Sequence, residues 1–255
     1  MTIFLNKLFK VSDGSEKDVR NRVLLIIAIS HLLAVFFSDG FHRPDEHLGM
    51  IRMVAVKLDL INQGLLAWEI PAMIRSWAQP GLYYIIGKLL LFSGFKNPFF
   101  MAFIFRLISS ILGFLSILCL INILPLFINK VKSLKISYLF FLVPWYLPFF
   151  HARTTTENFS ITFFIFSFYL IVKYIPSSQL NNSKLSPNQS AKDIALPKSI
   201  LFLSGFILSF SFFFRLQIIL SIIPFLIWSI FYSSIRKQLL LYLLIGILTG
   251  LGVNI

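Results

Sequence analysis

The chain carries little charge for its length, and almost none of it is acidic. Only 10 of its 255 residues are Asp or Glu, and charged residues of both signs make up 13%. A soluble globular domain carries roughly 25%, so that class is excluded. Hydrophobic residues make up 57%, the mean hydropathy is +0.84, and apolar runs recur along the whole length. The sequence therefore predicts an all-α fold, a polytopic bundle of transmembrane helices.

Cysteine is equally scarce. The single cysteine, Cys119, lies inside an apolar run and can form no disulfide within the chain. No group of Cys and His residues has the spacing of a metal site. The sequence therefore predicts neither a disulfide-stabilised scaffold nor a metal or other cofactor.

The excess of positive charge fits a membrane better than a nucleic acid. The net charge is +13, but the Lys and Arg residues lie between apolar runs. This placement is typical of the positive-inside rule and of contact with anionic lipids. A basic stretch also precedes the first apolar run, Val23–Phe37, and no small-residue cleavage pattern follows that run. We therefore expect an uncleaved first span that enters from the cytoplasmic side.

Seven apolar segments are candidate spans of a single membrane domain, residues 1–255. Several are near the short end of the roughly 17–25 residues that a helix needs to cross a bilayer. The candidates are 22–38, 99–127, 136–150, 158–175, 199–214, 217–232 and 239–255.

The apolar segment 81–94 is ambiguous, because it is short and contains Lys88. If it lies at the interface as a helix, 14 of the 23 Lys and Arg residues are cytoplasmic. If it crosses, the basic cluster at 130–135 and the basic stretch 176–198 both lie outside. The positive-inside rule therefore favours the interfacial helix and a long non-cytoplasmic first loop, 39–98. The polar stretch 176–198 is then a flexible cytoplasmic linker.

This topology brings polar residues together at one rim of the bundle. The loop 39–98, the connection 151–158 and the break at Arg215 all come out on the non-cytoplasmic side. Half of the ten acidic residues lie in that loop: Asp39, Asp45, Glu46, Asp59 and Glu69. Such clustering at a membrane surface predicts a site of chemistry, and the alternative is a solvated loop that happens to be charged.

Three segments carry a family resemblance. Phe41–His47 resembles the "HPDE" motif in the first lumenal loop of the dolichyl-phosphate-mannose-dependent α-mannosyltransferases, the N-glycan and glycosylphosphatidylinositol-anchor enzymes of glycosyltransferase family 22 in the GT-C superfamily. Leu66–Pro80 resembles the family's "LTWEW…IRS…P" signature, and Arg153–Asn158 is similar to its "RTLSNS" segment. The three motifs occur in the family's order, which makes the resemblance specific.

The sequence also departs from the family pattern. Arg43 is inserted after His42, and Gly49 stands where relatives often carry Gln. In the third motif the acid is Glu157, and Ser160 stands where relatives often place Glu. Family members are about twice as long, so the resemblance implies that this chain corresponds to their N-terminal half.

The resemblance implies metal-independent transfer of mannose from a lipid phosphate to a glycan or glycolipid. The residue types fit this chemistry independently. A base must accept the proton of the attacking hydroxyl, and we assign Asp45 to that role. Glu46 is the neighbouring carboxylate that orients it or binds acceptor. A phosphodiester leaves readily without a general acid, but its negative charge needs a cation, for which Arg153 and Arg215 are the candidates. Direct displacement would convert a β-linked lipid phosphate into an α-mannoside.

Further candidates for substrate binding come with alternatives. They are His42, Trp68, Glu69, Arg75 and Glu157. Trp68 is more typical of an interfacial belt residue than of a sugar-stacking one, and Glu69 and Arg75 could equally serve the packing of the loop. Arg153 and Arg215 could be anchors to lipid headgroups.

Two other functions remain open at this level. A flippase of lipid-linked sugars would also place polar groups at a membrane rim, although no pair of Gly- or Pro-broken segments suggests an inverted repeat. The chain could also be an inactive relative or fragment of the transferase. A transferase consumes the donor and elongates a glycan, whereas a flippase moves it unchanged. The expected location is the endoplasmic reticulum membrane in a eukaryote and the inner membrane in a bacterium.

Overall fold

The computed structural model describes residues 15–38, 50–62, 76–174 and 197–232, together with positions 241, 244, 245, 247 and 248. Within these residues all regular secondary structure is helical. The helices are α1 Glu16–Phe36, α2 Arg52–Lys57, α3 Ala78–Phe92, α4 Pro98–Phe127, α5 Val131–Phe140, α6 Leu147–His151, α7 Thr156–Tyr174, α8 Lys198–Phe214 and, after a 3₁₀ turn at Leu216–Ile218, α9 Ile219–Tyr232. The all-α prediction is confirmed.

The first helix begins at a capping box. The Ser15 hydroxyl accepts a hydrogen bond from the Asp18 amide at 3.2 Å, and the Asp18 carboxylate accepts one from the Ser15 amide at 3.1 Å. These two bonds satisfy amides that have no helical partner. The helix therefore begins at Glu16, six residues before the apolar segment 22–38.

Two described helices, α1 and α4, are long and apolar enough to cross a membrane, and α8 is a shorter apolar helix. The 30 residues of α4 correspond to about 45 Å at 1.5 Å per residue. That length exceeds the roughly 30 Å hydrocarbon core of a bilayer, so a membrane-crossing α4 would have to tilt or project beyond it. The fold is that of an all-α membrane protein.

The expected span 136–150 contains a break. Helix α5 ends at Phe140, and α6 begins only at Leu147. Pro144 lies between them, and proline has no amide hydrogen and disfavours helical geometry in the residue before it. The expected segment 81–94 begins earlier than its apolar part, as α3 from Ala78.

Contacts between helices give their relative directions. Ser110 of α4 donates to the His31 carbonyl of α1 at 3.3 Å, and Arg106 donates to the carbonyl of Ser38, just beyond α1. Residue numbers rise along one helix as they fall along the other, so α1 and α4 are antiparallel. The intervening segment 39–97 consequently begins and ends at the same end of this helix pair.

The stretch from α5 to α6 runs in the same direction as α1. The Tyr138 hydroxyl donates to Glu16 at 2.7 Å, near the start of α1. The imidazole nitrogens of His31 and His151 lie 2.9 Å apart, nearer the end of α1. The α6–α7 turn, residues 152–155, therefore lies toward the same end of the bundle as Ser38.

Helices α7 and α8 pack closely through small residues. Ser160 and Ser211 each donate to the other's carbonyl at 2.7 Å, and Ser167 donates to the Ser204 carbonyl at 2.8 Å. Small hydroxyl side chains let helices approach closely where water is absent.

An aromatic cluster joins four helices near the α6–α7 turn. The Tyr83 ring of α3 stacks on Phe105 of α4 at 4.5 Å between centroids and meets Phe159 of α7 edge-on at 5.9 Å. Phe159 in turn contacts Phe214 of α8 at 5.5 Å. The cluster joins the helix ends that carry the polar residues described next.

Candidate functional site

The nine candidate residues divide between two parts of the chain. His42, Asp45, Glu46, Trp68, Glu69 and Arg75 lie outside the residues that the structure describes, so their roles stay predictions. Arg153, Glu157 and Arg215 are described, and they lie at or beside the junctions α6–α7 and α8–α9.

Arg215 and Glu157 form an ion pair between the start of α7 and the end of α8. Nη2 of Arg215 lies 3.0 Å from Oε1 of Glu157, and Nη1 donates to the Thr156 hydroxyl at 3.1 Å. The Arg215 and Glu157 side chains are 32% and 33% exposed. Arg215 has extended backbone geometry where α8 ends, and Glu157 lies in the first turn of α7, where a carboxylate is favourable. The structure therefore brings two of the candidate residues together.

Arg153 has a different environment. It is 3% exposed, and its guanidinium lies over the Phe149 ring, 4.3 Å from the centroid. This contact is a cation–π interaction. An arginine that anchors to lipid headgroups extends its charged end toward water, whereas this one is packed inside. The burial argues against the anchor interpretation for Arg153.

The backbone of the α6–α7 turn is held by side chains from other helices. The Ser109 hydroxyl of α4 donates to the Arg153 carbonyl at 2.6 Å. The Asn158 amide donates to the His151 carbonyl at 3.0 Å and to the Ser109 hydroxyl at 2.9 Å. Gln79 of α3 donates to the Thr154 carbonyl at 3.1 Å. Three helices thus converge on the turn that carries Arg153.

Sequence reasoning missed Gln79 and Ser109, and it assigned Asn158 no role although Asn158 ends the third motif. The available signal is the presence of polar residues in or beside apolar runs, where each must find a partner. That signal identifies such residues but not what they contact. Ser109 and Arg153, for example, are 44 positions apart in the chain, so no local pattern links them.

A histidine pair lies beside the same turn. Nδ1 of His31 is 2.8 Å from the Ile27 carbonyl. A carbonyl only accepts, so in a neutral imidazole this nitrogen carries the proton and Nε2 accepts. Nδ1 of His151, 2.9 Å from that Nε2, is then the donor. Neither histidine is among the residues that the sequence marks as candidates, and the structure shows them as a hydrogen-bonded pair.

Arg106 is a charged residue within the long helix α4. Its guanidinium donates to the carbonyl of Ser38, where α1 has ended. Ionisable residues within apolar helices are rare and commonly functional. This contact fixes the point from which the segment containing His42, Asp45 and Glu46 departs.

Comparison with protein families gives one finding. The model of the Alg9-like mannosyltransferase family matches residues 22–255. The matched region contains all nine candidate residues. Comparisons with curated proteins and with solved structures find no match.

Proposed function

Because the chain belongs to the Alg9-like mannosyltransferase family, we propose that it transfers mannose from a polyprenyl- or dolichyl-phosphate donor to a glycan or glycolipid, with inversion at the anomeric carbon. As a member of this family the chain is a membrane-bound glycosyltransferase. The lipid-phosphate donor, the stereochemistry and the roles of individual residues are our proposal.

The environment of Arg215 is the observation that carries the proposal. Its guanidinium is one-third exposed, and both terminal nitrogens have oxygen partners, from Thr156 and Glu157. A planar guanidinium of this kind can make two parallel hydrogen bonds to phosphate and remains charged at all relevant pH values. We assign Arg215 to direct contact with the phosphate, whose negative charge grows as it leaves.

Arg153 supplies a second positive charge in this proposal. Its burial places the guanidinium where the effective dielectric constant is low. A fixed charge in such surroundings stabilises a developing negative charge more strongly than the same charge in water. Arg153 would therefore stabilise the charge of the phosphate from a buried position without touching it, while Arg215 contacts the phosphate.

The transfer itself is a direct displacement. The acceptor oxygen forms a bond to the anomeric carbon as the bond from that carbon to the phosphate oxygen breaks. The hydroxyl proton passes to the Asp45 carboxylate, and Glu46 orients Asp45 or binds acceptor. Backside attack converts a β-linked lipid phosphate into an α-mannoside. The remaining candidates, His42, Trp68, Glu69, Arg75 and Glu157, are proposed to bind substrate.

The helix directions support a multi-pass, GT-C type arrangement for this chemistry. Antiparallel α1 and α4 leave both ends of the segment 39–97 at one end of the pair. Contacts from Ser109 to Arg153 and from Arg215 to Thr156 place the two arginines toward that same end. The first loop and the arginines would then share the non-cytoplasmic side, in the endoplasmic reticulum or the bacterial inner membrane according to the host.

Replacing Arg215 by lysine tests the proposal. Lysine keeps the charge but loses the planar pair of donors, so turnover should fall by roughly 10²–10³, the usual effect of removing one transition-state contact. The measurement is transfer of radiolabelled mannose from polyprenyl-phosphate mannose to a lipid-linked glycan acceptor, by detergent-solubilised protein with expression matched between variants.

Arg22→Lys is the matched control. Arg22 is an exposed residue of α1, in the half of the helix far from Ser38, so the same exchange there should leave transfer unchanged. Near-full activity of Arg215→Lys would show that Arg215 is an anchor and reject its assignment. Wild-type protein that moves the donor across vesicles without consuming it would support the flippase instead.

A further inference from the structure

Ser109 and Asn158 hold the α6–α7 turn from two different helices. Both side chains are buried, and so are the turn residues Ala152, Arg153 and Thr154. The turn lies between two helices, so some of its carbonyls have no helical amide to accept from. A buried carbonyl without a partner costs about 1–3 kcal/mol. The side chains of Ser109 and Asn158 supply donors to two of these carbonyls, those of Arg153 and His151.

The two side chains form one continuous chain of hydrogen bonds. A serine hydroxyl has a single hydrogen, and Ser109 gives it to the Arg153 carbonyl at 2.6 Å. The Ser109 oxygen accepts from Asn158 at 2.9 Å, and Asn158 also donates to the His151 carbonyl at 3.0 Å. Hydrogen bonds in such a chain polarise and strengthen one another. Loss of Ser109 removes the bond to the Arg153 carbonyl and weakens the Asn158 bond on the other side of Ala152, and loss of Asn158 does the converse.

That backbone determines where the Arg153 guanidinium lies. The Ala152 amide donates to the Pro148 carbonyl at 3.0 Å, and the Arg153 amide donates to the Phe150 carbonyl at 3.1 Å. The guanidinium itself lies over the Phe149 ring. Arg153 is thus held through its amide, its carbonyl and its side chain. The partners of its amide and its side chain, Phe150 and Phe149, belong to α6, whereas the partner of its carbonyl, Ser109, belongs to α4.

We infer that Ser109 and Asn158 are positioning residues for glycosyl transfer, acting through the α6–α7 turn to hold the Arg153 guanidinium where the leaving phosphate develops its charge. The inference rests on the proposed function, because it takes Arg153 as a cation for that phosphate. Neither side chain is assigned a contact with substrate.

Deletion of the Ser109 hydroxyl should reduce kcat. A displacement of about 1 Å at a catalytic group can cost roughly 10²-fold in rate, so we expect Ser109→Ala to lower kcat by about 10- to 100-fold with little change in the acceptor KM. Ser109→Thr retains a hydroxyl and should restore most of the rate. Asn158→Asp, which has the same shape but cannot donate, should reproduce the loss.

The neighbouring serine provides the matched control. Ser110 is also buried in α4, but its hydroxyl donates to the His31 carbonyl of α1 at 3.3 Å. Ser110→Ala removes the same atom from the adjacent position without touching the turn. We expect its transfer rate to stay within about twofold of the wild type, since it removes no contact to Arg153.

Hydrogen exchange gives a readout that does not depend on activity. In detergent-solubilised protein, Ser109→Ala should accelerate exchange of the amides in a peptide covering 147–158, because local opening of the turn becomes easier. Ser110→Ala should leave that peptide unchanged. Unaltered exchange in Ser109→Ala, or equal kinetic losses in the two serine variants, would overturn the positioning role.

A double-mutant cycle separates the inference from the proposed function. If Ser109 acts through Arg153, the Ser109→Ala/Arg153→Lys double variant should be about as slow as Arg153→Lys alone. Losses that multiply would overturn the positioning role and leave Arg153 in place. A fully active Arg153→Lys would instead reject the role of Arg153 on which the inference depends, so the two failures give different results.

Discussion

Two arginines that look alike in the sequence have different environments in the structure. Arg153 and Arg215 both occur at the ends of apolar segments, where either could contact lipid headgroups. Arg153 is buried against Phe149, whereas Arg215 is one-third exposed and paired with Glu157. An exposed ion pair contributes little to stability, typically 0–1 kcal/mol. Under the proposed function the Arg215–Glu157 pair serves substrate binding rather than folding, whereas Arg153 is also part of the packing.

At the residue scale, the acidic motif can be tested directly. Asp45→Asn keeps size and hydrogen bonding but removes the ability to accept a proton. We expect mannose transfer to fall by at least the ~10²–10⁴ that a general base contributes. Glu46→Gln should cost less, because adjacent side chains point differently and only one can align with the acceptor hydroxyl.

Asp59→Asn is the control for this pair. Asp59 belongs to the same loop, is exposed and has a positive φ of 57°, a conformation that Asn tolerates as well as Asp. Its transfer rate should match the wild type. Near-normal transfer by Asp45→Asn would remove Asp45 as the base, and an inactive Glu46→Gln would then exchange the two roles.

The contacts that sequence reasoning did not find are those between distant positions. Arg215 is a candidate because it is a cation at the end of an apolar segment, and Glu157 because it is the acid of the third motif, but nothing local indicates that they pair across 58 positions. His31 pairs with His151 across 120 positions. Such contacts follow from how helices pack, and a polar residue in an apolar run shows only that it needs some partner.

At the scale of elements, apolar runs locate helices better than they locate helix ends. Hydropathy detects the part of a helix that contacts lipid, whereas the helix itself continues for as long as its backbone amides and carbonyls find hydrogen-bond partners. Helix α5 begins at Val131 rather than at the start of the expected span 136–150, because Lys132 and Lys135 are good helix formers although polar. The helix breaks around Pro144 and at the end of α8 are set by the backbone rather than by polarity.

Gly113 shows how one element accommodates another. A side-chain Cβ at this position of α4 would collide with the His151 ring of α6. Gly113→Ala should therefore displace His151, disturb its bond to His31 and destabilise the protein by about 1–3 kcal/mol, as overpacking does. Thermal unfolding in detergent, followed by circular dichroism, measures the effect.

Gly81→Ala is the matched control in α3. An added Cβ there has no atom within 4 Å, and alanine is a better helix former than glycine by roughly 1 kcal/mol. The midpoint of unfolding should stay the same or rise. Equal stability of the two alanine variants would show that α4 and α6 are not in close contact at Gly113.

At the scale of the whole molecule, the antiparallel α1 and α4 predict the position of the segment between them. If α3 does not cross the membrane, a cysteine at Ser93 is outside and one at Ser133 is cytoplasmic. Both serines are exposed in the structure, so accessibility within the protein is matched. In a Cys119→Ser background, an impermeant thiol reagent added to intact cells or sealed vesicles of known orientation should label Ser93→Cys and spare Ser133→Cys.

Because α1 and α4 are antiparallel, both ends of the segment 39–97 lie on one side, so the reverse labelling pattern would mean that the whole bundle has the opposite orientation in the membrane. Labelling of both cysteines from the same side would contradict the antiparallel arrangement of two membrane-crossing helices. Permeabilised membranes, in which both cysteines should react, control for local burial. Charge along the chain favours the non-crossing arrangement through the positive-inside rule.

The reciprocal bonds between Ser160 and Ser211 also set the register of α7 against α8. A slip by one helical turn would move each hydroxyl about 5.4 Å from its partner, so both bonds would be lost together. Thr156 lies four residues before Ser160, and Arg215 lies four residues after Ser211. In antiparallel helices these two positions are therefore one turn further along the same face. The serine pair therefore fixes how far α8 is shifted along α7, and this shift brings the Arg215 guanidinium to Thr156 and Glu157. The position of Arg215 at the end of the bundle is thus determined by contacts one helical turn further inside.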